Sequence, residues 1–243
     1  MNDFARQTHP QRELLIVHDG DAAWHQQCSA LAQAEQARCG QPITVHQITT
    51  PLPLGELRNR AVALARGPWV CQWDDDDRYH PQRLALQLAA AQRVAADVVF
   101  LTSQMHWFID GGELVLEDWS REPYPANVVQ GSLLARKAVL PLYPALRRGE
   151  DTALLAALVA QQVPIARLSG MPWLYAYQYH GHNTWDVAHH RAGALAKAFS
   201  PAAVRNVEAA LQNHWNAYSP PLPLVGRVVN ASVPLQLGVS VLG

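Results

Sequence analysis

Three short apolar runs, spaced by stretches of helical periodicity, constrain the fold more than any other feature of this chain. "ELLIVHDG" ends on Asp-Gly, "PITVHQI" follows, and "PWVCQW" closes the series at Trp73; each has the length of a buried strand rather than of a helix. Between the first two, Asp21 can cap a helix running to about Arg38, with Trp24, Cys28 and Leu31 on one face and Gly40 beyond its end. "GELRNRAVALARG" gives a second helix, with Leu57, Ala61, Leu64 and Ala65 on one side. After the third run, Pro81 sits near the first turn of a helix whose Leu84, Leu88 and Ala91 face inward. The order β-α-β-α-β-α predicts an α/β domain with a mostly parallel sheet and helices on both faces.

The pattern then changes. "DVVFLTSQMHWFIDGGELVLEDW" holds two extended runs around Asp110-Gly111-Gly112, a hairpin. "EDTALLAALVAQQ" reads as a helix that starts on its acids and buries Leu154, Leu155, Leu158 and Val159. "PWLYAYQYHGHNTWD" is a strand leaving into a His/Asn-rich loop, and residues 186–215 look helical. We expect a main domain over 1–185 and a C-terminal helical segment and tail over 186–243, with "SPPLPLVG" near where the packed part ends.

Acidic and basic residues nearly balance, 20 against 19, and no Lys/Arg block occurs, so no nucleic-acid partner is expected. Cys28, Cys39 and Cys71 are an odd set without a CxxC pair, which argues against a disulfide framework or a cysteine zinc site and for a reducing cytoplasm. "MNDFARQTHPQRE" lacks the apolar core of a signal peptide. The apolar C-terminal stretch is interrupted by Arg227, Asn230 and Pro234, so no transmembrane segment is expected and peripheral membrane association is left open.

Against this neutral background, "VCQWDDDDRYHP" places Asp74, Asp75, Asp76 and Asp77 at the end of a strand, and Asp19 ends another. Ligands of open parallel sheets collect at the carboxyl ends of the strands. If the chain stays extended past Trp73, Asp74 and Asp76 point one way and Asp75 and Asp77 the other. Two carboxylates on one side can hold a hard divalent cation and leave positions for phosphate oxygens and water, while the others can accept from ribose hydroxyls. A solvated acidic turn capping the next helix is the plainer alternative.

The surroundings separate the two. "RNRAVALARGPWVCQWDDDDRYHPQRL" resembles the segment of family 2 glycosyltransferases of GT-A fold in which an Arg-Asn helix precedes a strand, an Asp-x-Asp-Asp motif and a Pro-x-x-Leu helix. "QTHPQRELLIVHDGD" is similar to that family's "QT-P-E-IIVDDGS" segment, "GSLLARKAVL...YPALRRGEDTALLAAL" to its acceptor-side segment ending in Glu-Asp, and "YHGHNTW" to a late His-x-x-Asn-Thr stretch. The four matches span roughly residues 7–185.

The resemblance implies a GT-A, Rossmann-like fold, a nucleotide-diphospho-sugar donor (a UDP-sugar) and Mn2+ or Mg2+. The acceptor would be a glycan, lipid or other hydroxyl compound, and transfer would invert the anomeric centre. It places Asp19 at the nucleotide base, with His18 in place of the family's first acid, and Arg58 and Asn59 near the donor; Arg58 could offset diphosphate charge or hold the acidic motif by a charge-assisted hydrogen bond, a surface ion pair being the plainer use. Asp75 would meet the ribose; Asp74, Asp76 and Asp77 would lie at the metal, with Asp76 aligned to the ligating acid, and His180 near the diphosphate or metal. Asp151, with Glu150 beside it, matches the general base; capping a helix start is the other use of two such acids. An independent zinc site among His180, His182, His189 and His190 is disfavoured for want of a ligand signature. Trp107, Trp119, Trp173 and Trp185 could stack on a sugar, although burial is the commoner use of tryptophan.

One departure stands out. Family members begin with a strand reading like "VSVVIPTYNR", and this chain starts after it, so the sheet is expected to lack a member between the "ELLIV" and "WVCQW" strands, unless another segment such as the C-terminal tail fills the gap. The alternative to an enzyme is therefore a non-catalytic GT-A remnant acting as a binding domain. Nucleotidyl transfer to a sugar phosphate is weaker, because no glycine-rich, lysine-bearing phosphate loop is present.

Overall fold

A computed structural model describes residues 1–146, 148–183, 185–218, 226–228 and 235–237. Its helices are α1 (Asn2–Ala5), α2 (Ala22–Cys39), α3 (Leu54–Leu64), α4 (Arg83–Val94), α5 (Glu150–Ala160), α6 (Val187–Ala196) and α7 (Pro201–Trp215). The strands are β1 (Leu14–His18), β2 (Ile43–Gln47), β3 (Trp69–Cys71), β4 (Arg78–Tyr79), β5 (Val98–Leu101), β6 (Ser103–Phe108), β7 (Glu113–Asp118), β8 (Val129–Arg136), β9 (Ile165–Leu168), β10 (Tyr175–Tyr179), β11 (Gly226–Val228) and β12 (Leu235–Leu237).

Alternation builds the centre. In β5, Val98 and Phe100 point toward α5, packing on Leu154, Leu155 and Leu158, while Val99 points the other way toward Leu84 and Ala91 of α4. The sheet β3-β8-β5-β9 thus carries a helix on each face, and β5, its most buried strand, pairs parallel with β9 and antiparallel with β8. The single apolar run that begins at Asp97 is broken at Thr102, so that β6 enters a second, mixed sheet ordered β12-β11-β7-β6-β10-β4. There the expected hairpin forms: β6 and β7 pair antiparallel around Gly112, whose φ of 59° suits glycine. Both α6 and α7 join this part, with Val204, Leu211 and Trp215 of α7 in one core with Trp107, Leu114 and Leu174.

β1 and β2 pair parallel in a sheet of their own. Among the described residues neither is hydrogen-bonded to β3, so a discontinuity separates these two sheets. All residues of β1 and β3 are accordingly only half-buried, against almost complete burial in β5. The described tail strands do not fill the gap: β11 pairs with β7, at the edge of the other sheet. The proline-rich stretch 219–225 lies outside the described residues.

Helix α2 departs from the expected face. Asp21 caps it by accepting from the Trp24 amide at 2.8 Å, and Gly40 ends it with φ 68°. Cys28 is buried as predicted, but its buried neighbour is Ala32, while Trp24 and Leu31 are 48% and 56% exposed. A two-stranded sheet offers a narrow seat, and α2 is apolar on more than one side, so spacing alone could not select the stripe. For α3, Leu64 at its last turn is likewise exposed.

Candidate functional site

The acidic run is not an extended strand. Strand β3 ends at Cys71 and a turn occupies residues 75–76, so the expected alternation of the four acids is replaced by a different division. Asp75 and Asp76 are exposed. Asp74 is held at its backbone by Tyr79, whose hydroxyl accepts from the Asp74 amide at 2.7 Å and donates to the Asp74 carbonyl at 3.0 Å. Its carboxylate accepts from Gln72 Nε2 at 3.0 Å and Arg58 Nη2 at 2.9 Å. Asp77 turns inward: it is 6% exposed, accepts from the Tyr175 hydroxyl and the Gln178 amide, and burial, with Asp74 and Asp76 nearby, holds its carboxyl well above the usual carboxylate range.

Arg58 and Asn59 join this loop to the acceptor-side segment. Arg58 reaches Glu150 Oε1 through Nη1 at 2.6 Å while its Nη2 holds Asp74, so one guanidinium spans the two acidic motifs. Burial works against its charge, but Asp74, Tyr143 and Glu150 outweigh that and keep its pKa raised. Asn59 clamps the backbone of Tyr143, donating to its carbonyl and accepting from its amide, both at 2.8 Å. The preceding turn of α3 is equally tight: a Cβ on Gly55 would lie 2.2 Å from the Pro144 carbonyl oxygen. Gly55→Ala is therefore expected to cost about 1–3 kcal/mol through overpacking, read as a lowered midpoint in chemical denaturation.

The chain then enters α5 through Gly149, whose φ of 75° favours glycine. This start separates the two acids. Glu150 is buried against Arg58, whereas Asp151 is partly exposed, its Oδ1 accepting from the Thr152 amide at 2.7 Å.

His180 arrives from the end of β10. Its Nδ1 accepts from the His182 amide at 3.3 Å, which leaves the proton on Nε2, and Nε2 meets Asp76 Oδ2 at 3.2 Å. Asn183 secures the turn by accepting from the His180 amide at 2.9 Å. The other histidines diverge: His189 stacks on Trp185, while His190 packs on Tyr177 and His106, and their ring planes are perpendicular. Among the described residues no three His, Cys, Asp or Glu side chains form a ready metal cage. Trp107 and Trp173 are core residues, whereas Trp185 is 47% exposed beside Arg148. Asp19 is exposed after β1 and accepts from the Leu52 amide at 3.1 Å; among the described residues no hydrogen bond or ion pair joins it to the acidic loop.

The structure thus brings Arg58, Asp74 and Glu150 into one cluster and Asp76 and His180 into another. It leaves Asp75 exposed and Asp151 partly exposed. Sequence reading missed the scaffold beneath: Gln72, Tyr79, Tyr175 and a fully buried Arg83. The tyrosines carried no signal distinguishing them from core aromatics, but a charged residue at an inward position of α4 was a detectable anomaly.

Residues 1–129 match the family model described as Glycosyl transferase family 2, which is more than half of the chain. The chain belongs to glycosyltransferase family 2. Glu150, Asp151 and His180 lie beyond the matched residues. A curated relative, WcaA of Escherichia coli (strain K12), named for glycosyl transfer in colanic acid biosynthesis, is 29% identical over 139 residues, 57% of this chain and 40% of WcaA. The chain thus spans less than half the length of that relative. Among solved structures, S. aureus TarS 1-349 in complex with UDP is similar with a TM-score of 0.58 at 19% identity, covering 88% of this chain and 66% of TarS. The complex of the same protein with UDP-GlcNAc gives 0.57 at 18% identity, covering 88% and 62%. At these identities the likeness is one of fold, and the fold is GT-A-like α/β. No helix among the described residues is long and apolar enough to cross a membrane.

Proposed function

We propose that this family 2 chain transfers a sugar from a UDP-sugar to a hydroxyl of a glycan, lipid or other acceptor, with inversion and with a divalent cation. The observation that carries the reading is the Arg58 bridge, which ties a donor-side acidic loop to the start of α5, where Asp151 is a partly exposed carboxylate. The crystallised UDP and UDP-GlcNAc complexes of TarS support a uridine nucleotide, and the WcaA name supports glycosyl transfer.

In this reading Asp19 faces the base and Asp75 the ribose. Asp76 retains an uncommitted Oδ1, with a side chain 44% exposed, and stands beside His180; such an open, oxygen-rich set suits Mn2+ or Mg2+ with phosphate oxygens and water completing the shell. Asp74, whose carboxylate is committed to Arg58 and Gln72, adds negative charge from behind, while Asp77, its carboxyl held by Tyr175 and Gln178, fixes the floor of the loop. The bound cation supplies Lewis-acid stabilisation of the departing diphosphate. Asp151 takes the proton of the acceptor hydroxyl as that oxygen bonds to the anomeric carbon, on the face opposite the phosphate oxygen that leaves. Arg58 and Asn59 hold the two sides in register.

Calorimetric titration with UDP, with and without Mn2+, tests the donor site. Asp76→Ala is expected to weaken the Mn2+-dependent binding by about tenfold to a hundredfold, the size of effect typical of losing a group that tunes a metal site. Unchanged binding would remove Asp76 from the site. That β1 and β3 lie in separate sheets favours one other reading, a non-catalytic nucleotide-binding domain. A screen of UDP-sugars reading UDP release in the presence of acceptors separates the two: binding without release supports the second.

A further inference from the structure

The proposed chemistry makes no use of Arg83, which among the described residues is the one arginine with no exposed surface. It stands in the first turn of α4, just after the acidic loop, and a buried guanidinium is costly unless its charge is compensated. Among the described residues no carboxylate lies within ion-pairing distance of it, and Nη1 has no hydrogen-bond partner. Nε donates to Gln87 Oε1 at 3.1 Å, and Nη2 donates to the carbonyls of Gln72 at 3.2 Å and Gly131 at 3.5 Å. Three rings surround the group instead, Tyr79, Tyr175 and Trp73, with centroids 4.5, 5.2 and 5.4 Å from its carbon.

Two of those rings end on the acidic loop. Tyr79 and Tyr175 are stacked, 5.3 Å apart with 5° between their planes. One hydroxyl grips the backbone of Asp74 and the other donates to the carboxyl of Asp77. Crowding is tight at the same place, since a Cβ on Gly131 would come 3.0 Å from the Tyr175 hydroxyl. A cation against a phenol ring is drawn to its face, and by withdrawing electron density it makes the hydroxyl a better donor.

We propose that Arg83 is a positioning residue: a buried cation that acts through Tyr79 and Tyr175 to fix the shape of residues 74–77 and offsets from inside the repulsion among their carboxylates. Arginine suits the task because its planar group stacks and stays charged where a buried lysine would lose its proton. The importance of that shape for donor binding rests on the function proposed above; the holding of the loop does not.

Amide hydrogen exchange tests the holding directly. The Asp74 amide donates to Tyr79 and the Gln178 amide to Asp77, so each reports the loop, while the amides of Val98–Leu101 report the core. Arg83→Met is expected to speed exchange at Asp74 and Gln178 about tenfold and leave Val98–Leu101 unchanged, the pattern of a local opening. Tyr175→Phe should do the same at Gln178, and the double variant should exceed neither single change there, because the two act in series. Arg83→Lys carries the test if Arg83→Met does not fold, with a smaller acceleration confined to the loop. Unchanged loop exchange, equal acceleration in β5, or additive effects would each overturn the proposal. Titration of the same variants with UDP and Mn2+ judges the donor site separately: Arg83→Met should bind about tenfold more weakly. A wild-type chain that takes up no UDP defeats the functional reading, and the exchange data still decide the role of Arg83.

Discussion

Asp151→Asn is expected to cut sugar transfer by at least about a hundredfold while leaving Mn2+-dependent UDP binding within about twofold, because removing a general base costs about 10²- to 10⁴-fold in rate. The substitution is nearly isosteric. An asparagine Oδ1 can still accept from the Thr152 amide, so the start of α5 should be preserved. What it cannot do is take a proton from the acceptor. The neighbouring acid is the internal control, because Glu150 is spent on Arg58 and faces away from solvent. Glu150→Gln should therefore lower stability and perturb the loop, with turnover following stability rather than collapsing at full occupancy. Steady-state UDP release and calorimetric binding on the same preparations check both statements. A fully active Asp151→Asn would reject the base assignment.

The contrast between these adjacent acids shows what could be read from the sequence. That Glu-Asp opens a helix was legible from the apolar stripe of Leu154, Leu155 and Leu158. Which acid faces inward was not, because it depends on the left-handed turn at Gly149 and on an arginine far earlier in the chain. The acidic loop behaves alike. Its location at a strand end was legible, but its division was not. Alternation assumed an extended chain, whereas a turn at 75–76, pinned by Tyr79 and Tyr175, buries Asp77 and exposes Asp75 with Asp76. The β-α-β-α-β-α order also survives locally while its assembly differs. Strand pairing is a long-range choice, and β1 with β2 forms one sheet while β3 joins β8 in another. Arg58 holds the acidic motif through Asp74, one of the two uses expected of it, but Glu150 and the backbone of Tyr143 are partners of Arg58 and Asn59 that no local pattern encodes.

Arg58→Met should consequently be the most damaging single change to stability in the site, at about 3–5 kcal/mol in urea denaturation, because it strands a buried Glu150 carboxylate without its partner. The side chain of Glu150 is 7% exposed and that of Asp74 is 29%, so the loss is expected to fall mainly on the Glu150 side, with water relieving Asp74. Methionine roughly keeps the volume that packs against Tyr143, which confines the effect to charge. If that account is correct, Arg58→Met combined with Glu150→Met should recover much of the lost stability, since replacing both members of a buried pair by apolar groups is often neutral. Transfer should not recover with it. The double variant still lacks the guanidinium that ties Asp74 to α5, so the donor loop and Asp151 are no longer held on one frame. Recovered folding with unrecovered turnover is thus the expected signature of a residue whose stabilising and aligning roles rest on the same two ion pairs.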